Sequence, residues 1–246
     1  MACEVNIRDL NKVTLNNGIL IESSTGVGMV AGIAASHIIA SYGMDQVAAM
    51  DSEDFPPVSI VYNARPKLPS RVYCSGSKNL AIFTSEIPLP VKTHRSVASA
   101  LLKWGLNCGC RTFVSLDGIP AENNNKTENG KPHLWAVGTT DAARSAIEKA
   151  GLEQLQTGMI SGISAIMLNE GRVNKYNVIG LFAEAREDMP DAAGAAALVQ
   201  GLNKLFSPFN FAIKPLLDEA KHIQSQIEHM RKQGEPATKE QYSIYG

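Results

Sequence analysis

Short apolar runs alternate with longer helical patterns along most of the chain. The helical patterns have apolar positions three and four residues apart, whereas the short runs have the length and flanking turn residues of buried strands. Strands are predicted at 18–23, 47–50, 79–84, 111–116, 134–138 and 176–183, and helices at 29–42, 92–107, 141–150, from about 161, and 191–206. This alternation predicts an α/β fold with a mostly parallel sheet and helices on both faces.

One stretch of the chain breaks the alternation. Residues 58–62 and 70–74 both have strand character, and the Pro-containing segment Ala64-Arg65-Pro66 separates them. Turn residues between two strand candidates favour direct pairing. We therefore predict a hairpin formed by these two runs.

The character of the chain changes after Ser207-Pro208. Residues 214–232 are predicted to be helical, with apolar residues spaced four and three apart as in a heptad seam. The seam consists of Leu216, Ala220, Ile223, Ile227 and Met230. Such a helix either docks on its own domain or forms a seam between subunits, and two heptads are too short to hold chains together alone.

Residues 234–243 are polar, include Gly234 and Pro236, and show no periodicity. A tether of this length spans up to about 35 Å when fully extended. The predicted organisation is an α/β domain over 1–206, an amphipathic helix over 207–233 and a flexible tail over 234–246.

The tail ends in the tripeptide Ile244-Tyr245-Gly246. Ile244 offers aliphatic area, and Tyr245 combines a large apolar ring with a polar hydroxyl. A terminal carboxylate suits a lysine or a nest of backbone N–H groups. A hydrophobic residue, a tyrosine and a final residue of any type resemble the HbYX tail with which activators and assembly factors dock between α-subunits of the core proteasome. We take these three residues as the candidate partner-binding site.

Composition narrows the classes of partner. The net charge of −1 argues against nucleic acid, because phosphate binding needs a clustered cationic field. No run of about 18 apolar residues is present to span a membrane, and the first residues lack the pattern of a secretion signal. A cytoplasmic location is expected.

Cysteines and histidines do not form a metal-binding pattern. Cys108-Gly109-Cys110 is too tight a pair for a standard zinc knuckle, and no second pair completes a tetrahedral site. The four cysteines are therefore expected to be buried or incidental thiols, and His37 is expected to make a hydrogen bond within the core. The histidines are at positions 37, 94, 133, 222 and 229.

Two segments could bind a nucleotide or a metal. Gly26-x-Gly28-x-x-x-Gly32 follows a strand and opens a helix, as a dinucleotide fingerprint does, but its third glycine comes one position late. A tight turn with close helix–sheet packing is the favoured interpretation, with phosphate binding as the alternative. Asp51, Glu53 and Asp54 could hold Mg²⁺, although a solvated surface loop is favoured. No cofactor or metal is predicted.

Serine chemistry is the remaining catalytic possibility. Ser115 and the pair Ser161 and Ser164 stand outside any G-x-S-x-G pattern, and no His or Asp partner is identifiable in the sequence. Ser161-Gly162 is interpreted as a helix N-cap. The lack of an acid–base pair favours a binding role over an enzymatic one.

Several segments, in the same order, resemble the proteasome assembly chaperone 2 (PAC2-like) family, most closely its archaeal branch. The resemblance covers roughly residues 15–230, and Ser24-Thr25 departs from the aromatic or Pro-containing pair usual in the family. The matching segments are 24–34, 50–58, 84–90, 115–120 and 158–164.

The resemblance implies a non-enzymatic chaperone that helps to assemble the core proteasome. It implies a homo-oligomer that presents HbYX tails to α-subunits. A paralogous chaperone is an alternative partner in the oligomer. It also implies a sheet of the nucleoside-phosphorylase type without that active site. Two alternatives stay open: a regulator or adaptor of the mature core proteasome, and an enzyme of nucleoside-phosphorylase or ligase type.

Overall fold

A computed structural model describes residues 4–121, 132–207 and 209–219. The elements follow the order expected for an α/β fold, and short 3₁₀ turns precede α1 and α2. The elements are β1 (Asn6–Asp9), β2 (Gly18–Ser23), α1 (Val30–Tyr42), β3 (Asp45–Asp51), β4 (Ile60–Tyr62), β5 (Arg65–Lys67), β6 (Ser70–Ser75), β7 (Leu80–Ser85), α2 (His94–Asn107), β8 (Cys110–Pro120), β9 (Leu134–Gly138), α3 (Asp141–Lys149), β10 (Glu153–Gln154), α4 (Gly162–Asn174), β11 (Asn177–Ala185) and α5 (Ala192–Leu205).

The main sheet has nine strands in the order β1-β3-β6-β7-β2-β8-β11-β9-β10. Its centre, β7-β2-β8-β11, is parallel throughout. The centre is flanked by antiparallel pairs, where β6 joins β7 and β9 joins β11, and the edge strand β10 is parallel to β9. The predicted fold class is confirmed, with a sheet that is mixed at its margins.

Residues of the central strands alternate between two cores. Ile21, Ile82 and Val114 face the layer formed by α1, α3 and α5, whereas their neighbours Leu20 and Phe113 face α2 and α4. Successive side chains on a strand point to opposite faces, so a strand covered on both faces is apolar throughout. This explains why the central strands read as continuous apolar runs in the sequence.

The predicted hairpin is wrong in its pairing. β4 pairs with β5 in a separate two-stranded sheet, and β6 pairs with β3 and β7. The chain reverses at Asn63 and Ala64, whose φ angles of 50° and 58° are both positive. Two consecutive positive φ angles are typical of the tight turn that closes a two-residue hairpin, so the reversal comes earlier than the proline suggested.

Helix starts are fixed in different ways. Thr140 accepts a hydrogen bond from the Ala143 N–H at the start of α3. Asp191 accepts from the N–H groups of Ala193 and Gly194 at the start of α5. Ser161 occupies the N-cap position of α4 as predicted, but its side chain makes no capping hydrogen bond.

The segment after α5 folds back onto the domain. Asn203 donates to the Phe211 carbonyl at 3.0 Å and accepts from the Phe211 N–H at 2.9 Å. His37 Nε2 lies 2.6 Å from the Ala212 carbonyl, so its partner is this segment at the domain surface instead of the core. Residues 214–219 are helical, and Leu216 is buried in the α1–α5 layer. The rest of the predicted heptad seam and the tail lie outside the described residues.

Among the residues described, no helix is both long and apolar enough to cross a membrane.

Candidate functional site

The carboxyl ends of the central parallel strands open into a cleft of about 410 Å³. We call it the C-edge cleft, because ligands of open α/β sheets bind outside the carboxyl ends of the strands. Its walls come from the turn after β2, the segment after β7, the end of β8 and the start of α4. They include residues 24–27, 88–89, 116–120 and 159–164, together with Glu22, His94 and Phe182.

Polar groups from three elements form a connected series at the cleft. Ser115 Oγ on β8 lies 2.5 Å from Glu22 Oε2 on β2 and 2.9 Å from Ser164 Oγ on α4. Ser164 Oγ lies 3.2 Å from Asp117 Oδ2, also on β8. Ser24 closes the other end of the series, because its N–H and hydroxyl both donate to Glu22 Oε1. We call Glu22, Ser115, Ser164 and Asp117 the carboxyl–hydroxyl series.

Burial makes both carboxyl groups of the series harder to ionise. Burial raises the pKa of Glu22 to about 6, against hydrogen bonds from Ser115 and Ser24 that lower it. Burial also raises the pKa of Asp117, although the Gly118 N–H and the Ser164 hydroxyl stabilise its charged form. Carboxyl groups with raised pKa values in a cleft are typical of functional sites.

The sequence indicated Ser115 and Ser164 as candidate serines but did not identify a carboxyl partner for them. Asp117 is hydrogen-bonded to Ser164. Glu22 was missed altogether, since it was read as part of a buried strand. Its position within an apolar run could have indicated a buried, partnered carboxyl group, because glutamate is almost never fully buried without a partner.

The Gly26–Gly32 turn packs against acidic groups. A Cβ on Gly26 would lie 2.4 Å from Asp117 Oδ1, and one on Gly28, where φ is +60°, would lie 2.8 Å from the Arg186 carbonyl. Gly32 has open space around it. The first two glycines therefore permit close approach, and the Asp117 carboxylate beside Gly26 would repel a phosphate bound at this turn. This geometry favours the interpretation of the segment as a structural turn.

The other polar candidates do not converge. Asp51 pairs with Arg8 at 3.1 Å, and Asp54 pairs with Lys92. Within the described ranges, no group of three or more His, Cys, Asp or Glu side chains could hold a metal ion.

The thiols described here are buried, as expected: Cys74, Cys108 and Cys110. Burial raises the pKa of the Cys110 thiol to about 12, so it stays protonated and unreactive at neutral pH.

A larger groove of about 820 Å³ lies between α5, β9 and β10. Its lining includes Ala193, Ala196 and Ala197 of α5. Its polar residues include His133 and Glu153, whose Nε2 and Oε2 atoms lie 2.6 Å apart. Converging buried polar groups mark a small-ligand site better than size does. We therefore regard the C-edge cleft as the candidate site within the described body. The candidate partner-binding residues Ile244, Tyr245 and Gly246 lie outside the described residues.

The fold and cleft define an α/β protein with a mixed sheet, parallel at its centre, and a polar site at the carboxyl edge. The sequence matches the model of the PAC2 family over residues 20–231. The chain therefore belongs to the PAC2 family.

Comparisons with individual proteins agree with this assignment. The structure resembles Pyrococcus furiosus PbaA, described as an archaeal homolog of proteasome-assembly chaperone. The TM-score is 0.82 and the identity 29%, over 94% of this chain and 92% of that one. Pyrococcus furiosus PbaB, described as an archaeal proteasome activator, shares the fold with a TM-score of 0.80 and 22% identity, over 94% of this chain and 100% of its own. An uncharacterized protein of Methanocaldococcus jannaschii is 27% identical over 222 residues, which are 90% of this chain and 89% of that protein.

Proposed function

We propose that the protein is a proteasome assembly chaperone that binds α-subunits of the core proteasome through Ile244, Tyr245 and Gly246. The observation that carries the proposal is the likeness to PbaA, which extends over 94% of the chain at 29% identity. The C-terminal tripeptide supplies the contact that such a protein needs. The two observations are independent, since the family match ends at residue 231.

The tripeptide has the chemistry of a docking tail. Tyr245 buries a large ring while its hydroxyl finds a polar partner, and Ile244 adds aliphatic area beside it. The α-carboxylate of Gly246 supplies one negative charge for a lysine or a cluster of N–H groups. Buried tyrosines are common among the few residues that carry most of the energy of an interface.

The described body anchors the segment after α5. Two hydrogen bonds between Asn203 and Phe211 hold this segment, and Leu216 is buried in the layer that contains α1 and α5. The chain therefore has a defined place on the domain as far as residue 219. We propose that the protein acts as a homo-oligomer, in which several weak tails bind together with much higher avidity than one.

A binding experiment with purified α-subunits tests the proposal. We expect the full-length chain to retain α-subunits on a column and a chain ending at Ser243 to lose them. Tyr245→Ala should weaken binding by about 2 kcal/mol or more, the range of an interface hot spot. Tyr245→Phe keeps the ring and removes the hydroxyl, so it separates their contributions to binding.

The matched control for the carboxylate is a chain with one alanine added after Gly246. This extension moves the negative charge by one residue and keeps both side chains. Equal retention by the full-length chain and by the chain ending at Ser243 would move the interface to the folded body and refute the proposal.

A further inference from the structure

The carboxyl–hydroxyl series contains more oxygen–oxygen contacts at hydrogen-bond distance than its serine hydroxyl groups have hydrogens to donate. Three contacts follow one another: Glu22 to Ser115, Ser115 to Ser164, and Ser164 to Asp117. The two serines supply two hydrogens. All three contacts can be hydrogen bonds only when one carboxyl group carries a proton. That proton can reside at either end, because reversing both hydroxyl groups moves the donor from Glu22 to Asp117.

A series that holds one proton carries one negative charge. Among the described residues that line the C-edge cleft, none is a lysine or arginine. The only other titratable side chain in that lining is His94, whose Nε2 lies 3.0 Å from the Leu89 carbonyl. The described lining therefore offers no lysine or arginine to pair with the charge, and a negative charge without such a partner in a half-enclosed cleft attracts a cation.

A second polar group also lacks a partner. The Thr25 hydroxyl oxygen is buried and makes no hydrogen bond to any described residue. It belongs to the wall of the same cleft, beside Gly26. A buried hydroxyl without a partner costs free energy unless a bound group satisfies it. This observation is independent of the carboxyl groups and points to the same place.

Apolar side chains cover the rest of the cleft. Leu89, Ile160 and Phe182 line it, and Met159 stands at its rim with 97% of its surface exposed. A volume of about 410 Å³ lies within the ordinary range of small-molecule sites. An exposed methionine at a rim is suited to contact with apolar groups of variable shape.

We propose that the C-edge cleft binds a small primary amine with an apolar body, whose ammonium group donates hydrogen bonds to the Asp117 carboxylate and, after rotation of the Thr25 side chain into the cleft, to the Thr25 hydroxyl. Asp117 is the direct acceptor, because it is only half-buried whereas Glu22 is 1% exposed. The shared proton then resides on Glu22, which it reaches by reversal of the Ser164 and Ser115 hydroxyl groups.

Other ligand classes fit the cleft less well. The negative charge repels carboxylates and phosphates, and a neutral alcohol leaves the charge uncompensated. This binding site is separate from the proposed docking of the tail, so either can fail without the other.

Three ligands of the same shape test the charge requirement. Benzylamine, benzyl alcohol and benzoate are titrated into the full-length protein at about pH 5, below the pKa of about 6 that burial gives Glu22, and followed by calorimetry. We expect saturable binding of benzylamine and at least tenfold weaker binding of the other two. Equal binding of benzyl alcohol, or no saturable binding of benzylamine, would overturn the proposal.

Two variants test the location. Asp117→Asn should weaken benzylamine binding at least tenfold, because it removes the charged acceptor and keeps the shape. Glu53→Gln removes an exposed carboxylate outside the cleft lining and is expected to leave binding unchanged. Unchanged affinity in Asp117→Asn would refute the assignment.

A measurement on the unaltered protein keeps the test valid if Asp117→Asn does not fold. Benzylamine should shift the amide resonances of residues 24–27 and 117–119. Shifts confined to other parts of the protein would contradict the proposed site.

Discussion

Replacing Glu22 by glutamine should remove a pH-dependent loss of stability. Burial raises the pKa of Glu22 from its ordinary value of 4.5 to about 6. The folded state therefore holds this proton more tightly than the unfolded state. The associated stability is fully present below pH 4.5 and is lost as the pH rises through about 6.

The size of the effect follows from the pKa values. One pKa unit corresponds to ~1.36 kcal/mol, so the rise from 4.5 to about 6 corresponds to about 2 kcal/mol. The Glu22→Gln variant has no proton to lose at this position. Its free energy of unfolding relative to the unaltered protein should therefore increase by about 2 kcal/mol between pH 4.5 and pH 7.

The assay is urea denaturation at fixed protein concentration and ionic strength, in steps between pH 4.5 and pH 7, followed by tryptophan fluorescence. A fixed concentration matters because self-association changes apparent stability. Asp117 and His94 also face the cleft and are the same residues in both proteins, so the difference between the two curves isolates Glu22 to a first approximation.

The exposed Glu53 provides the matched control. Glu53→Gln should follow the pH dependence of the unaltered protein. Parallel curves for the unaltered protein and Glu22→Gln would refute the burial argument, because they would show that Glu22 ionises equally easily in the folded and unfolded states.

Further substitutions test the turn and the helix caps by urea denaturation. Gly26→Ala should cost about 1–3 kcal/mol, because its Cβ would lie 2.4 Å from Asp117 Oδ1; the matched Gly32→Ala, in open space within α1, should gain up to about 1 kcal/mol. Equal effects of the two would contradict the packing. Asp191→Ala should cost about 1–2 kcal/mol, because it removes the acceptor for two N–H groups of α5. Ser161→Ala, at an N-cap position without a capping bond, should change stability by less than about 0.5 kcal/mol. A larger loss in Ser161→Ala than in Asp191→Ala would refute the assignment of the caps.

Local patterns in the sequence were sufficient to predict most of the fold. β2 and β9 have the predicted bounds, and α5 lies within one residue of the helix predicted over 191–206 at each end. Buried strands and capped helices leave signals within a few residues, so one chain is enough to find them. The pairing of β6 was missed because the turn that decides it leaves no such local signal. The proline at 66 suggested a turn, whereas the positive φ angles at Asn63 and Ala64 lie earlier and have no glycine to mark them.

The carboxyl–hydroxyl series could not be predicted in the same way. Ser115 and Asp117 are two residues apart and point to the same face of β8, which the sequence does show. Glu22 and Ser164 lie 93 and 49 residues from Ser115 along the chain. Only the strand order β2-β8 and the packing of α4 bring them together. Contacts of this kind depend on topology, which local periodicity does not specify.

The most direct test of the central proposal is assembly of the core proteasome from separate α- and β-subunits. We expect the full-length protein to increase the rate or yield of complete particles, and the chain ending at Ser243 to lose this effect while keeping its fold. Peptide hydrolysis by particles that are already complete should be unchanged. Equal assembly with and without the last three residues would contradict the account, and altered hydrolysis by finished particles without any effect on assembly would identify a regulator instead.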